Sequence, residues 1–144
     1  MHIHTPLIYS QPLSSFADTN IYLKLDCLQP SGSFKIRGIA NLCTWAHKKG
    51  YHKLISSSGG NAGIAAAYVA KSLGMQCEII IPTTSSELMI EKIKQQGAHV
   101  TVKGKAWDES DEHARNKVAQ DNKAFYVPPF DHPLIWQGHS SIVD

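Results

Sequence analysis

Apolar and polar positions along the chain alternate between short β-type runs and longer stretches of helical period. Ile21-Tyr22-Leu23-Lys24-Leu25 reads as a strand that turns through Gln29-Pro30-Ser31-Gly32. Behind Ser33 as a predicted N-cap, Ile36, Ile39, Ala40, Cys43 and Ala46 recur at helical spacing until Gly50 stops the run. Lys53-Leu54-Ile55-Ser56 is the next strand, followed by Ser57-Ser58-Gly59-Gly60-Asn61-Ala62-Gly63 and an alanine-rich helix to Leu73, closed by Gly74. The order then repeats. Cys77 to Ile81 is a strand, and Ser86 opens a helix carrying Leu88, Met89, Ile90 and Ile93 to Gly97. His99 to Val102 is a strand, Trp107 to about Gln120 a more polar helix, Ala124 to Val127 a last strand, and Leu134 to Val143 the start of a further helix. The Pro- and Ser-rich opening to about Asp18 reads as irregular.

Alternating strands and helices predict an α/β fold, a parallel sheet flanked by helices, because parallel neighbours need crossovers of this length. No internal repeat or low-complexity linker interrupts the pattern. Leu134, Ile135, Ile142 and Val143 give the last helix an apolar face that runs to Asp144 without a cap or polar tail, which reads as a cut.

Composition narrows the function. A chain of 144 residues, 42% hydrophobic and 18% charged, can build one ordinary core. The net charge of +2 is scattered, with no basic block longer than Lys48-Lys49, so nucleic acid is not an expected partner. Cys27, Cys43 and Cys77 are odd in number, far apart and without a C-x-x-C pair, a pattern of neither disulfides nor zinc, and it predicts a cytoplasmic setting. Met1-His2-Ile3-His4-Thr5-Pro6 shows no basic start followed by an apolar run, so secretion is not expected, and no run approaches the roughly 18 apolar residues of a membrane span. His2 and His4 lack a third ligand at useful spacing, so no metal site is expected. Trp45, Trp107 and Trp136 read as packing residues and not as a base-stacking platform.

Two places carry candidate chemistry. The strand–Gly59-Gly60-Asn61-Ala62-Gly63–helix run outlines an anion site, since glycines let backbone N–H groups approach a ligand at a helix N-terminus. Its plain alternative is a tight turn whose glycines serve only close packing. Dinucleotide binding fits poorly: the run is G-G-x-x-G, and the next strand ends Ile81-Pro82-Thr83 without an acid for a ribose. No Gly-Lys-Ser/Thr follows, which excludes a Walker loop, so a small anion such as a carboxylate suits the loop better. Lys35, just past a helix N-cap, should have its amine pKa lowered by the macrodipole, which suits attack on an aldehyde and later proton transfer. The plain alternative is a solvated surface lysine balanced by Asp26.

Ser31-Gly32-Ser33-Phe34-Lys35-Ile36-Arg37-Gly38, Ser57-Ser58-Gly59-Gly60-Asn61-Ala62-Gly63 and Pro128-Pro129-Phe130-Asp131-His132-Pro133-Leu134-Ile135-Trp136 together resemble the serine/threonine dehydratase family of fold-type II pyridoxal-phosphate enzymes. The resemblance covers essentially the whole chain, in order. It implies that Lys35 is the catalytic lysine that links to pyridoxal 5'-phosphate, that Phe34 packs beside the cofactor ring and that Asn61 holds its 3′-oxygen. It implies that Ser58, Gly59, Gly60, Asn61 and Ala62 hold the substrate carboxylate. The implied reaction is β-elimination from L-serine to pyruvate and ammonia, or from L-threonine to 2-oxobutanoate, in an enzyme that is a homodimer at full length. Ala62, where threonine dehydratases usually carry His, resembles the serine branch. Gly59 resembles the serine dehydratase-like subgroup, serine dehydratase itself having alanine there, and a looser loop is expected from it.

The resemblance also divides the chain: 1–39 as the start of the large cofactor domain, 40–133 as the small α/β domain, and 134–144 as the beginning of the return into the large domain. A second glycine-rich loop holds the cofactor phosphate in that family. Here Gly74, Gly97, Gly104 and Gly138 each stand alone. Residues 1–144 are therefore expected to have impaired or no turnover, with a non-catalytic carboxylate-binding or subunit-interaction fragment as the alternative.

Overall fold

A four-stranded, wholly parallel sheet carries the chain, in the order β5-β4-β3-β6, and a computed structural model describes residues 1–144. Its strands are β3 (Lys53–Ser56), β4 (Gln76–Ile81), β5 (His99–Val102) and β6 (Ala124–Tyr126). The helices are α2 (Lys35–Lys48), α3 (Asn61–Leu73), α4 (Glu87–Gln95), α5 (Trp107–Ala119) and α6 (Pro133–Ser140), and the chain ends in a 3₁₀ turn, Ser141–Val143. β1 (Leu7–Tyr9) and β2 (Tyr22–Lys24) form a separate antiparallel pair, with Ile8 opposite Leu23, joined by helix α1 (Gln11–Ala17).

The opening read as irregular is thus a strand and a helix. Its strand is three residues long and exposed at every position, so it leaves no alternation to read, whereas β2 falls within the strand expected at Ile21 to Leu25. Pro12 fits the first turn of α1, where its missing N–H has no partner to lose, and Asp18 closes the helix in the left-handed conformation (φ 50°). The start of α2 also differs. Phe34, not Ser33, is the flanking residue, no side chain caps the helix, and the Ser33 hydroxyl is buried without a partner.

Strand periodicity places the two faces of the core. Leu54, Ile79 and Ile81 enter the large apolar cluster with Ile36, Leu42 and Ala66, whereas Ile55 and Ile80 turn to the opposite face with Ala114 and Ala124. Each fully buried Ile or Leu contributes about 1.5–3 kcal/mol. The alanines of α3 let it lie close on β3 and β4.

Helices α2 and α6 meet backbone to backbone. A Cβ at Gly138 would lie 2.4 Å from the Arg37 carbonyl oxygen, and one at Gly38 would lie 2.6 Å from that of Ile135. The Asn41 side-chain amide donates to the Leu134 carbonyl across the same contact (2.7 Å). Gly138→Ala is expected to destabilise the chain by about 1–3 kcal/mol through overpacking, read as a lower urea midpoint at unchanged slope.

On β4, Glu78 is buried and its carboxylate accepts from Lys53 (3.1 Å), Lys117 and Thr101 (2.8 Å). Burial pushes its carboxyl up, but the hydrogen bonds from Lys117, Thr101 and Lys53 prevail and hold it down at about 2, against an ordinary 4.5. A depressed carboxyl contributes stability that is complete above its unfolded pKa and lost as pH falls through the folded one. Melting temperature should therefore fall between pH 4.5 and about 2, and Glu78→Gln should flatten that part of the profile.

Candidate active site

The glycine loop and the motif at 128–136 leave the same end of the sheet. β3 and β6 are adjacent and parallel, so the loop after Ser56 and the segment after Tyr126 emerge side by side at their C-terminal ends, where parallel sheets commonly bind ligands.

The loop after β3 is built on close approach. Ser56 and Ser57 are buried, while Ser58, Gly59 and Gly60 are half-buried. The Gly60 N–H donates to the Ser58 hydroxyl (3.3 Å), and Gly60, in extended conformation, flanks the start of α3. Asn61 at the first position of α3 is exposed. Ala62 is buried, its methyl packed into the large apolar cluster. A Cβ at Gly63 would fall 1.9 Å from the Ser58 carbonyl oxygen, so the loop can fold over the first turn of α3 only with glycine there. Gly63 was legible as the last glycine of the run, but its steric role needs the fold. At Gly59 a methyl would meet Ile81 Cγ2 at 3.2 Å and Ser85 Oγ at 3.3 Å, so alanine needs those side chains to give by a few tenths of an ångström.

Lys35 is partly buried at the start of α2. Its ammonium donates to the carbonyl of Pro129 (2.9 Å) and lies 5.5 Å from the centre of the Phe34 ring and 5.9 Å from that of Phe130. No carboxylate pairs with it. Asp26, the counter-ion of the solvated-lysine alternative, is engaged by Arg37 at 2.7 Å. The amine pKa is lowered, and the cause is burial, where helix position alone had suggested the macrodipole.

Beside the lysine, His139 of α6 stacks at a tilt on Phe34, with ring centres 5.1 Å apart. Both of its nitrogens are buried without a partner, and burial together with Lys35 and Arg37 lowers its pKa. The sequence offered Pro129 and Phe130 only as part of a family-like motif, not as neighbours of Lys35, and gave His139 no role, because each lies about a hundred residues from Lys35. A partly buried amine of lowered pKa, aromatic faces around it and an imidazole lacking a partner suit a flat polar ring bearing a carbonyl.

A family model described as pyridoxal-phosphate dependent enzyme matches residues 1–144. The chain belongs to this family. It is 49% identical over 144 residues to a human protein named L-serine dehydratase/L-threonine deaminase, and 48% identical over 142 residues to human serine dehydratase-like. Each alignment takes in 99% of this chain, but only 44% and 43% of the relatives, so the chain spans less than half their length. Among solved structures, an L-serine ammonia-lyase from Rhizomucor miehei superposes with a TM-score of 0.91 at 37% identity, over 99% of this chain and 45% of that one. A threonine deaminase from Solanum lycopersicum gives 0.89 at 30% identity, over 98% and 39%. No helix of the chain is long and apolar enough to cross a membrane.

Gly63→Ala should displace the Ser58 carbonyl and destabilise the chain by about 1–3 kcal/mol or more through overpacking, read as a lower urea midpoint at unchanged slope.

Proposed function

We propose that the chain is the lysine-bearing, substrate-binding part of a fold-type II pyridoxal 5'-phosphate enzyme that eliminates water from L-serine, and from L-threonine, to give a 2-oxo acid and ammonia. The observation that carries this reading is Lys35, partly buried without a counter-ion at the start of α2 and tied to Pro129, past the end of β6 and beside the glycine loop that follows β3.

Each part has a defined task. The N–H groups of Ser58 to Ala62 at the start of α3 bind the amino acid's carboxylate, favoured by the helix dipole. Phe34 packs on the cofactor ring and Asn61 holds its 3′-oxygen. The bound cofactor supplies an electron sink for the pair left when the Cα proton departs. Lys35, whose burial favours the uncharged amine, takes that proton. The Cβ hydroxyl leaves as water, one water returns in hydrolysis, and the net change is L-serine to pyruvate and ammonia.

The same reading assigns 1–39 to a large cofactor domain, 40–133 to a small domain and 134–144 to the return, with α2 carrying the chain across the first division. Leu7, Tyr9, Leu13 and Phe16 support this. They leave an apolar surface around α1 (Phe16 is 91% exposed), as expected of a unit that packs on something further. It also assigns a cytoplasmic setting and a homodimer at full length. Because the relatives are more than twice as long, residues 1–144 by themselves are read as binding but hardly turning over. Treating the chain with pyridoxal phosphate and then borohydride should place the stable adduct on Lys35 by peptide mapping. Adding L-serine instead of borohydride should release little pyruvate. An adduct spread over other lysines would remove the assignment of Lys35, and rapid pyruvate release would remove the claim of impaired turnover.

A further inference from the structure

We propose that Asp111 is a positioning residue that fixes the spacing between the lysine's acceptor and the carboxylate loop, a role that rests on the function proposed above. Asp111 projects from α5, on the face of the sheet opposite α2 and α3, and is only 8% exposed. One of its oxygens, Oδ1, accepts two hydroxyls at neighbouring strand ends: Ser57, the residue after β3, fully buried, at 2.6 Å, and Tyr126, the last residue of β6. The other oxygen accepts from Arg115 Nε at 2.8 Å, and the Arg115 guanidinium lies 4.2 Å over the Tyr126 ring.

The two hydroxyls sit where it matters. Ser57 directly precedes Ser58, and Tyr126 stands three residues before Pro129, whose carbonyl holds Lys35. The β3–β6 ladder is paired only as far as Ile55 and Tyr126. Past it, the Val127 N–H to Ile55 carbonyl bond (2.8 Å) and the Ser56 hydroxyl to Val127 carbonyl bond (2.9 Å) carry the contact one step further. One segment then runs on into the glycine loop and the other to Pro129. Two strand exits sharing a single carboxylate oxygen cannot separate or slide without breaking a buried, charge-assisted hydrogen bond. Burial opposes the ionised form, but the bonds from Arg115, Ser57 and Tyr126 outweigh it and keep Asp111 an acceptor.

The test uses Ser57→Ala, Tyr126→Phe and Asp111→Asn in the 144-residue chain, with L-serine and pyridoxal phosphate as probes. Ser57→Ala should weaken L-serine binding about tenfold, followed by amide shifts of Gly59 and Gly60. Tyr126→Phe should lower the fraction of pyridoxal phosphate trapped on Lys35 by borohydride, and Asp111→Asn should do both. Each is measured on protein shown to be folded. If Asp111→Asn does not fold, the two hydroxyl deletions, which each remove one bond, decide the question. A purely structural role would lower the melting temperature and leave both readouts within about twofold of the unaltered chain, which would overturn the proposal. Failure of the unaltered chain to bind L-serine at this loop would overturn the proposed function as well.

Discussion

The guanidinium of Arg37 is almost fully buried, and the ends of the chain are arranged around it. Nε and Nη2 hold the two oxygens of Asp26 at 2.7 and 2.9 Å, and Nη1 donates to the carbonyl and hydroxyl of Ser141, both at 3.1 Å. Asp26 also accepts from Thr5 at 2.5 Å and from Gln29 at 3.3 Å, and Gln29 exchanges two 2.9 Å hydrogen bonds with the backbone of Ile3. The Arg37 and Thr5 bonds keep the Asp26 carboxyl ionised far below its ordinary range despite burial. A charge removed from water is tolerated only when every neighbour answers it, and loss of one partner of such a pair costs about 3–5 kcal/mol. The N-terminal segment, the turn before α2 and the turn after α6 are thereby fixed to one side chain. Lys35, two residues earlier on the same helix, takes its place from that arrangement.

A second constraint is steric. Gly38 and Gly138 bring α2 and α6 to backbone contact, which sets the His139 ring against Phe34 beside the lysine. Gly63 lets the loop after β3 fold onto the first turn of α3. These close approaches work with the parallel register of β3 and β6 to deliver an amine and a set of N–H groups to one end of the sheet.

Much of this was legible in the chain. The parallel α/β plan, the limits of β3 and α3, and the glycine loop follow from periodicity and from glycines at element ends. The three motifs that resemble the dehydratase family lie in the region that the relatives match. What escaped notice is physically consistent. β1 and α1 are short and exposed, so they carry no periodic signal. Ser33 has a capping side chain, yet the chain turns into the helix one residue later and buries that hydroxyl. Asp26 suggested a partner for Lys35, but it belongs to Arg37, whose planar fork matches a carboxylate at both oxygens.

The sequence by itself determined the order of strands and helices, the residue types at the two reactive segments and the family, because these rest on local propensity, spacing and motif. Only the tertiary structure decided what surrounds Lys35. Its acceptor is Pro129, 94 residues away, its neighbours are Phe130 and His139, and its lowered basicity comes from burial. Solvent exclusion and hydrogen-bond partnership are properties of what packs against a group, and no local pattern of residues encodes them.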